Sequence, residues 1–217
     1  MESIRVIVAD DSDLMITGVR SLIEKDYRFR VVGLARCTDS LVDVVRHRQP
    51  QIVLWGAGFH HSDTLTTIEQ LRTIAPDAKR LMVGSLTDGI LIRDLMRLGL
   101  DGYLHKGDDL TLCLLDALVA MSNGKVYLST TARSAYRTAV ECDNRAKPSP
   151  LTAEMRDVLR LLAAGLSVHE IANKLGIGKK RVYRLRSRLK SRFDAKTNEH
   201  LIQRAVSEGF VTPVSSS

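Results

Sequence analysis

Residues 166–193 read Leu-Ser-Val-His-Glu-Ile-Ala-Asn-Lys-Leu-Gly-Ile-Gly-Lys-Lys-Arg-Val-Tyr-Arg-Leu-Arg-Ser-Arg-Leu-Lys-Ser-Arg-Phe. Ser167 is placed to cap a short helix carrying Ile171, Ala172 and Leu175 on one face, and Gly176 stops it. After Ile177 and Gly178 a second helix begins, with Val182, Leu185, Leu189 and Phe193 at three- and four-residue steps. Between them lie Lys179, Lys180, Arg181, Arg184, Arg186, Arg188, Lys190 and Arg192. Most basic runs are solvated helix faces. Here the preceding helix and the glycine turn point instead to a helix-turn-helix, its second helix seated by the apolar stripe and offering the cationic side to a DNA major groove.

Helical geometry sorts that second helix. Val182, Leu185 and Leu189 turn inward, so Lys180, Arg184, Ser187, Arg188 and Ser191 occupy the opposite surface, flanked by Arg181 and Tyr183. Lys179 and Lys180 stand at the positive end of the helix dipole and suit phosphate contact. Arg184 and Arg188, one turn apart, suit base-edge readout, because arginine can grip guanine O6 and N7 with two hydrogen bonds. Thr152 is a good cap for a helix over 153–163, ended by Gly165. A fourth helix over 199–208 carries Leu201, Ile202, Ala205 and Val206.

Charge is divided to match. The chain has 217 residues and net charge +7; from Pro148 onward Lys and Arg outnumber Asp and Glu by 13 to 6, whereas residues 1–147 hold 19 of each. A neutral domain tethered to a nucleic-acid-binding one carries its excess charge in this way. Cys37, Cys113 and Cys142 are odd in number and form no metal-ligand spacing, so free thiols in a reducing compartment are expected. No apolar run approaches a membrane span and the first residues lead straight into a strand, which reads as a soluble, cytoplasmic protein.

Residues 4–9 (Ile-Arg-Val-Ile-Val-Ala) form a β-branched run ending in Asp10-Asp11, as a buried parallel strand does when it delivers carboxylates at its C-terminal end. Strands at 30–35, 51–55, 80–85 and 102–104 follow, alternating with helices at 14–23, 40–47, 64–74, 90–98 and 110–121. Five βα units predict an α/β domain with a five-stranded, doubly wound parallel sheet over residues 1–122. Function in such a sheet sits at the C-terminal strand ends. Residues 123–147 read as a linker with a helical stretch at 133–141, and 148–217 as an all-α, four-helix domain.

These residues together resemble response regulators of the NarL/FixJ type, in which a flavodoxin-like (CheY-like) receiver precedes a LuxR-type helix-turn-helix. In the second domain Leu151-Thr152, Gly165-Leu166-Ser167, Glu170-Ile171-Ala172, Leu175-Gly176-Ile177 and Val182 carry the likeness. In the first, Asp10-Asp11 resembles the magnesium-binding acidic pair. Ser85 resembles the hydroxyl residue that touches the phosphoryl group, Tyr103 the aromatic switch residue and Lys106 the lysine that pairs with phosphoryl oxygens. The resemblance implies a homodimer, with Leu201, Ile202 and Ala205 on the dimerisation helix, reading an inverted repeat in double-stranded DNA. Another regulator or RNA polymerase is the further partner it implies.

The likeness fails at the centre of the receiver. The family ends its third strand in the aspartate that accepts the phosphoryl group; counting through Ile52-Val53-Leu54-Trp55 puts Gly56 there. Two acids without a third make a poor magnesium site, since magnesium relies on a full set of oxygen ligands. Asp10 or Asp11 is then expected to pair directly with Lys106. His60, His61 and Asp63 in the following loop could be offered as substitute acceptor or metal ligands, but a solvated turn with Asp63 as helix cap is the stronger reading. The expectation is a dimeric, sequence-specific transcriptional regulator, not an enzyme and without metal or cofactor. Its receiver acts independently of phosphorylation, as a dimerisation or ligand-sensing module. A phosphorelay output with another acceptor is the nearest alternative, and a non-DNA-binding interaction protein the alternative from another class. An enzyme on the same sheet is disfavoured, because no glycine-rich phosphate loop and no nucleophile–base pair is present.

Overall fold

The computed structural model describes residues 3–57, 64–142, 151–207 and 210–211. Strands and helices alternate as expected: β1 (Ile4–Ala9), α1 (Asp13–Ile23), β2 (Phe29–Ala35), α2 (Thr38–Arg48), β3 (Ile52–Gly56), α3 (Thr64–Ile74), β4 (Lys79–Gly84), α4 (Gly89–Leu98), β5 (Gly102–His105) and α5 (Leu110–Ser122). All strand pairs are parallel, in the order β2-β1-β3-β4-β5 followed by a further strand, β6 (Tyr127–Leu128). The expected five strands are therefore six. The extra one, β6, pairs with β5 through Gly102↔Tyr127 and Tyr103↔Leu128. Two residues carry no period, so the pattern of the sequence could not announce it.

Parallel strands need cover on both faces, and their residues divide by parity. Ile7, Ala9, Val53, Trp55, Met82 and Tyr103 face the α2–α4 side. Val6, Val8, Ile52, Leu54, Leu81, Val83 and Leu104 face α1 and α5. Short polar caps start the helices: Ser12 Oγ accepts from Met15 N at 3.3 Å, and Asp88 Oδ1 from Ile90 N and Leu91 N at 2.8 and 3.1 Å.

The region read as a linker also holds α6 (Thr130–Cys142). Asp108, in the turn after β5, accepts from Thr131 N at 3.0 Å in the first turn of α6. The helix packs closely on α4. A side chain at Gly89 would put its Cβ 1.9 Å from the Ala135 carbonyl oxygen and 3.0 Å from Ala139 Cβ.

The C-terminal part is helical: α7 (Ala153–Ala163), α8 (Val168–Leu175), α9 (Lys179–Arg192) and α10 (Asn198–Ser207). Thr152 Oγ1 accepts from Met155 N at 3.2 Å, and Ser167 and Glu170 form a reciprocal capping box. Gly176, at φ 64°, turns the chain between α8 and α9 in the left-handed region that glycine adopts without strain. Leu159, Ile171, Val182, Leu189, Leu201 and Ala205 are buried, and Phe193 meets Phe210 edge to face at 5.3 Å. This core joins the apolar layer on the α2–α4 side of the sheet. One expectation is corrected here: Leu201 and Ala205 belong to the domain's own core and leave no side chain for a partner, so only Ile202 of the three is partly exposed.

Among the described residues no helix is long and apolar enough to cross a membrane. The α4–α6 contact generates a test. Gly89→Ala drives a methyl into a backbone carbonyl rather than a movable side-chain tip, and should destabilise the protein by about 1–3 kcal/mol in denaturant unfolding.

Candidate nucleic-acid interface and strand-end pocket

The apolar seam of α9 holds the helix as its spacing requires: Val182, Leu185 and Leu189 are buried. Lys179, Lys180, Arg181, Tyr183, Arg184, Ser187, Arg188 and Ser191 are all exposed, so the structure brings the eight candidate DNA-contacting residues onto solvent-facing parts of one helix. No side chain caps the helix start at Gly178. Tyr183 lies under the Arg186 guanidinium, 4.9 Å from ring centroid to Cζ, which stiffens both side chains on the open face.

Two cations differ from expectation. Arg181 Nε and Nη2 donate to the Glu154 carboxylate of α7 at 2.6 and 2.7 Å. That hydrogen bonding raises the arginine's pKa and lowers the acid's. Arg181 thus ties α9 to α7 as well as adding positive charge. Arg192 leaves the cationic face altogether. It follows Leu185 by seven residues and Leu189 by three, which places it on the seam, and it is buried against Asp94 of α4. The heptad step was the legible signal for its direction. Its partner, 98 residues earlier, had none.

At the strand ends, Asp10 is buried at 5% exposure while Asp11 is open. Asp10 Oδ1 accepts from Ser12 N at 2.9 Å. Its other oxygen fills the space beside Gly56, the last residue of β3: a Cβ on Gly56 would lie 2.0 Å from Asp10 Oδ2. Ser85 and Lys106 are exposed, and the Lys106 N–H donates to the Gly84 carbonyl at 2.7 Å, which anchors the lysine's backbone beside β4. The Tyr103 ring is buried, and its hydroxyl oxygen accepts from Leu86 N at 2.7 Å.

The expected direct ion pair is corrected. Lys106 acts on Asp10 through space, and Asp10 is hydrogen-bonded to the Ser12 backbone and the Asp11 side chain instead. Burial is the largest influence on the Asp10 carboxyl and pushes its pKa up; the Ser12 hydrogen bond and the Lys106 charge oppose this, and Asp11 adds to the rise. The residues present do not fit a magnesium ion. One acid of the pair is turned into the gap at Gly56, and among the described residues no three His, Cys, Asp or Glu side chains come together. His60, His61 and Asp63 lie outside the described residues. Cys37 and Cys113 are unpaired thiols.

Residues 6–115 match the model of the response regulator receiver domain, which is half of the chain, and residues 149–205 match that of the bacterial regulatory proteins of the luxR family. The chain is a response regulator with a luxR-family domain. Among curated relatives, the transcriptional regulatory protein MctR of Rhizobium johnstonii is 29% identical over 97% of both chains. The response regulator UvrY of Escherichia coli is 24% identical over 95% of both. A solved structure of RcsB from Salmonella enterica serovar Typhimurium, bound to the rprA promoter with a phosphomimetic, shares the fold of the response regulator at TM-score 0.69. It covers 94% of this chain and 98% of its own, at 19% identity.

The pocket of this response regulator has a pH signature. Between the ordinary carboxylate pKa and the raised folded value, the folded state keeps a proton that the unfolded chain has shed. Stability contributed by Asp10 therefore falls as pH rises through that window, and the ionised group costs stability at neutral pH. Asp10→Asn should raise the melting temperature at pH 7 and change it little below the carboxylate range. A lower melting temperature at pH 7 would mean that attraction to Lys106 outweighs burial.

Proposed function

We propose that this response regulator is a dimeric, sequence-specific DNA-binding regulator of transcription whose receiver works without phosphorylation. The observation that carries the DNA reading is α9: a buried apolar seam on one side and, on the other, an exposed face holding Lys179, Lys180, Arg184 and Arg188. The net charge of +7 residing wholly beyond Pro148 supports it. So do the relatives MctR, a transcriptional regulatory protein, and UvrY, a response regulator, and the likeness to promoter-bound RcsB.

The division of labour follows from position. Lys179 and Lys180, at the N-terminal end, meet backbone phosphates, where the helix dipole adds to their charge. Arg184 and Arg188 project one turn apart toward base edges, with Ser187 and Ser191 between and beyond them as short polar contacts and Tyr183 and Arg181 on the flanks. Two copies related by a two-fold axis read half-sites about one helical turn apart.

For the receiver, Gly56 offers no carboxylate oxygen to attack phosphorus, and Asp10 leans into the place where one would stand. Ser85, Tyr103 and Lys106 remain around that filled site as structural residues of a module that joins copies or senses a ligand or partner. A conventional phosphorelay through another acceptor is the competing reading, and mass spectrometry separates them. Incubated with acetyl phosphate and magnesium, the intact chain should show no gain of about 80 Da, the mass of an added phosphoryl group.

The DNA interface gives a second test. Arg188→Ala should relax preference at one base pair, by about 1–3 kcal/mol of discrimination, while leaving non-specific binding nearly intact. Lys179→Ala should weaken all duplexes alike and reduce the slope of log affinity against log salt by about one. Competition titrations at several salt concentrations read both effects, and the reverse pattern would overturn the assignment of roles.

A further inference from the structure

The surface between the receiver and the C-terminal helices pairs receiver acids with helix arginines, with one further buried cation, Arg93 of α4, whose Nε lies 3.9 Å from Asp94 Oδ1. The receiver supplies Glu69 and Thr66 from α3 and Asp94 from α4; the facing helices supply Arg156 and Arg160 from α7 and Arg192 from α9. Arg156 pairs with Glu69. Arg160 Nη2 donates to Thr66 Oγ1 at 2.6 Å and lies 3.9 Å from the Glu69 carboxylate. Arg192 pairs with Asp94, the two side chains only 3% and 2% exposed, and the same arginine nitrogen is 3.4 Å from the Ile90 carbonyl. Asp94 Oδ2 also accepts from Leu151 N, the first described residue after the inter-domain segment, at 3.3 Å.

Two features separate this cluster from ordinary packing. Arg192 Nε and Nη1 and Asp94 Oδ1 are buried without a hydrogen-bond partner, so the pair is an incompletely satisfied one. A hydrophobic contact of equal size is often at least as stabilising, so the contribution specific to such a pair is orientation. The second feature is place. Arg192 stands in the last turn of α9, one turn beyond Arg188 and two beyond Arg184, and the pair holds that turn to α4 while the whole reading face stays exposed. The contact does not cover the recognition helix; it aims it.

We infer that Asp94 and Arg192 are positioning residues for DNA reading: their pair fixes the direction of each α9 relative to its receiver and so sets the half-site spacing that the dimer accepts. The inference rests on the DNA-binding reading above. Without the pair, Arg156–Glu69, Arg160–Thr66 and the shared apolar layer still join the two domains, but the last turn of α9 is no longer held to α4 and a wider range of half-site separations becomes reachable.

The test is a panel of duplexes carrying two half-sites at stepped separations, titrated with the full-length protein, with Asp94→Ala, and with Arg192→Lys, which keeps a cation opposite Asp94. The unaltered protein should lose about tenfold in affinity when the separation moves a few base pairs from its optimum, whereas Asp94→Ala should lose no more than about twofold. Arg192→Lys should keep the narrow profile. Small-angle scattering should show a larger radius of gyration for Asp94→Ala than for the other two, with circular dichroism unchanged. If the unaltered protein binds no duplex, the DNA reading itself falls. If it binds and Asp94→Ala keeps the same spacing profile, or Arg192→Lys becomes as tolerant as Asp94→Ala, the positioning role is overturned.

Discussion

A parallel sheet with both faces buried constrains nearly everything else in this chain. Its strands are apolar on both faces, so helices must cover both, and Val6 through Ala9, Val53, Leu81 and Met82 are accordingly fully or almost fully removed from solvent. Once the faces are covered, the strand ends are where side chains of β1, β3 and β4 can still reach one another. Asp10, Gly56 and Ser85 therefore gather at one end of the sheet. The same demand for cover explains α6, which approaches α4 until the Ala135 carbonyl occupies the space a side chain at residue 89 would need.

At that end of the sheet, absence of a side chain is the informative feature. Glycine at position 56 leaves a gap about the size of the Asp10 carboxyl, and Asp10 fills it, with burial pushing its pKa up and Lys106 pulling it down through space. Tyr103 of β5 is buried against Gly84 of β4, its hydroxyl oxygen accepting from the Leu86 N–H. The pocket is thus satisfied from within the chain: a backbone N–H and a nearby cation do for Asp10 part of what a metal ion would do elsewhere.

The C-terminal domain solves a different problem with the same economy. One helix must be anchored and displayed at once, and α9 manages this because Val182, Leu185 and Leu189 recur on one side while the lysines and arginines take the rest. Arg181 and Arg192 show how two members of a basic run are drawn off to structural duty, one onto Glu154 of the same domain and one onto Asp94 of the other. Long arginine side chains with several donors suit both tasks.

Local pattern settled much of this in advance. The alternation of β-branched runs with helical spacing made the doubly wound sheet legible, and Ser167, Gly176 and the three- and four-residue steps of α9 made the helix pair and its exposed basic face legible. In each case the signal lies within one element, where periodicity alone says which side is buried. Gly56 was visible by counting, whereas Arg192, counted with the cationic face, turns inward on the seven-residue step it shares with Leu185. What remained hidden had no local period or depended on distant residues. β6 is two residues long. Leu201 and Ala205 look the same in sequence whether an apolar stripe meets its own domain or a second copy, and only the assembled core, closed by Phe193 and Phe210, places them inside. The Asp10 carboxyl in the gap at Gly56, and Asp94 beneath Arg192, arise because folding brings together groups 46 and 98 residues apart. Sequence by itself determined which faces are apolar and which are charged; tertiary structure alone decided which charges meet, because that depends on how covered sheets and seated helices come to rest against one another.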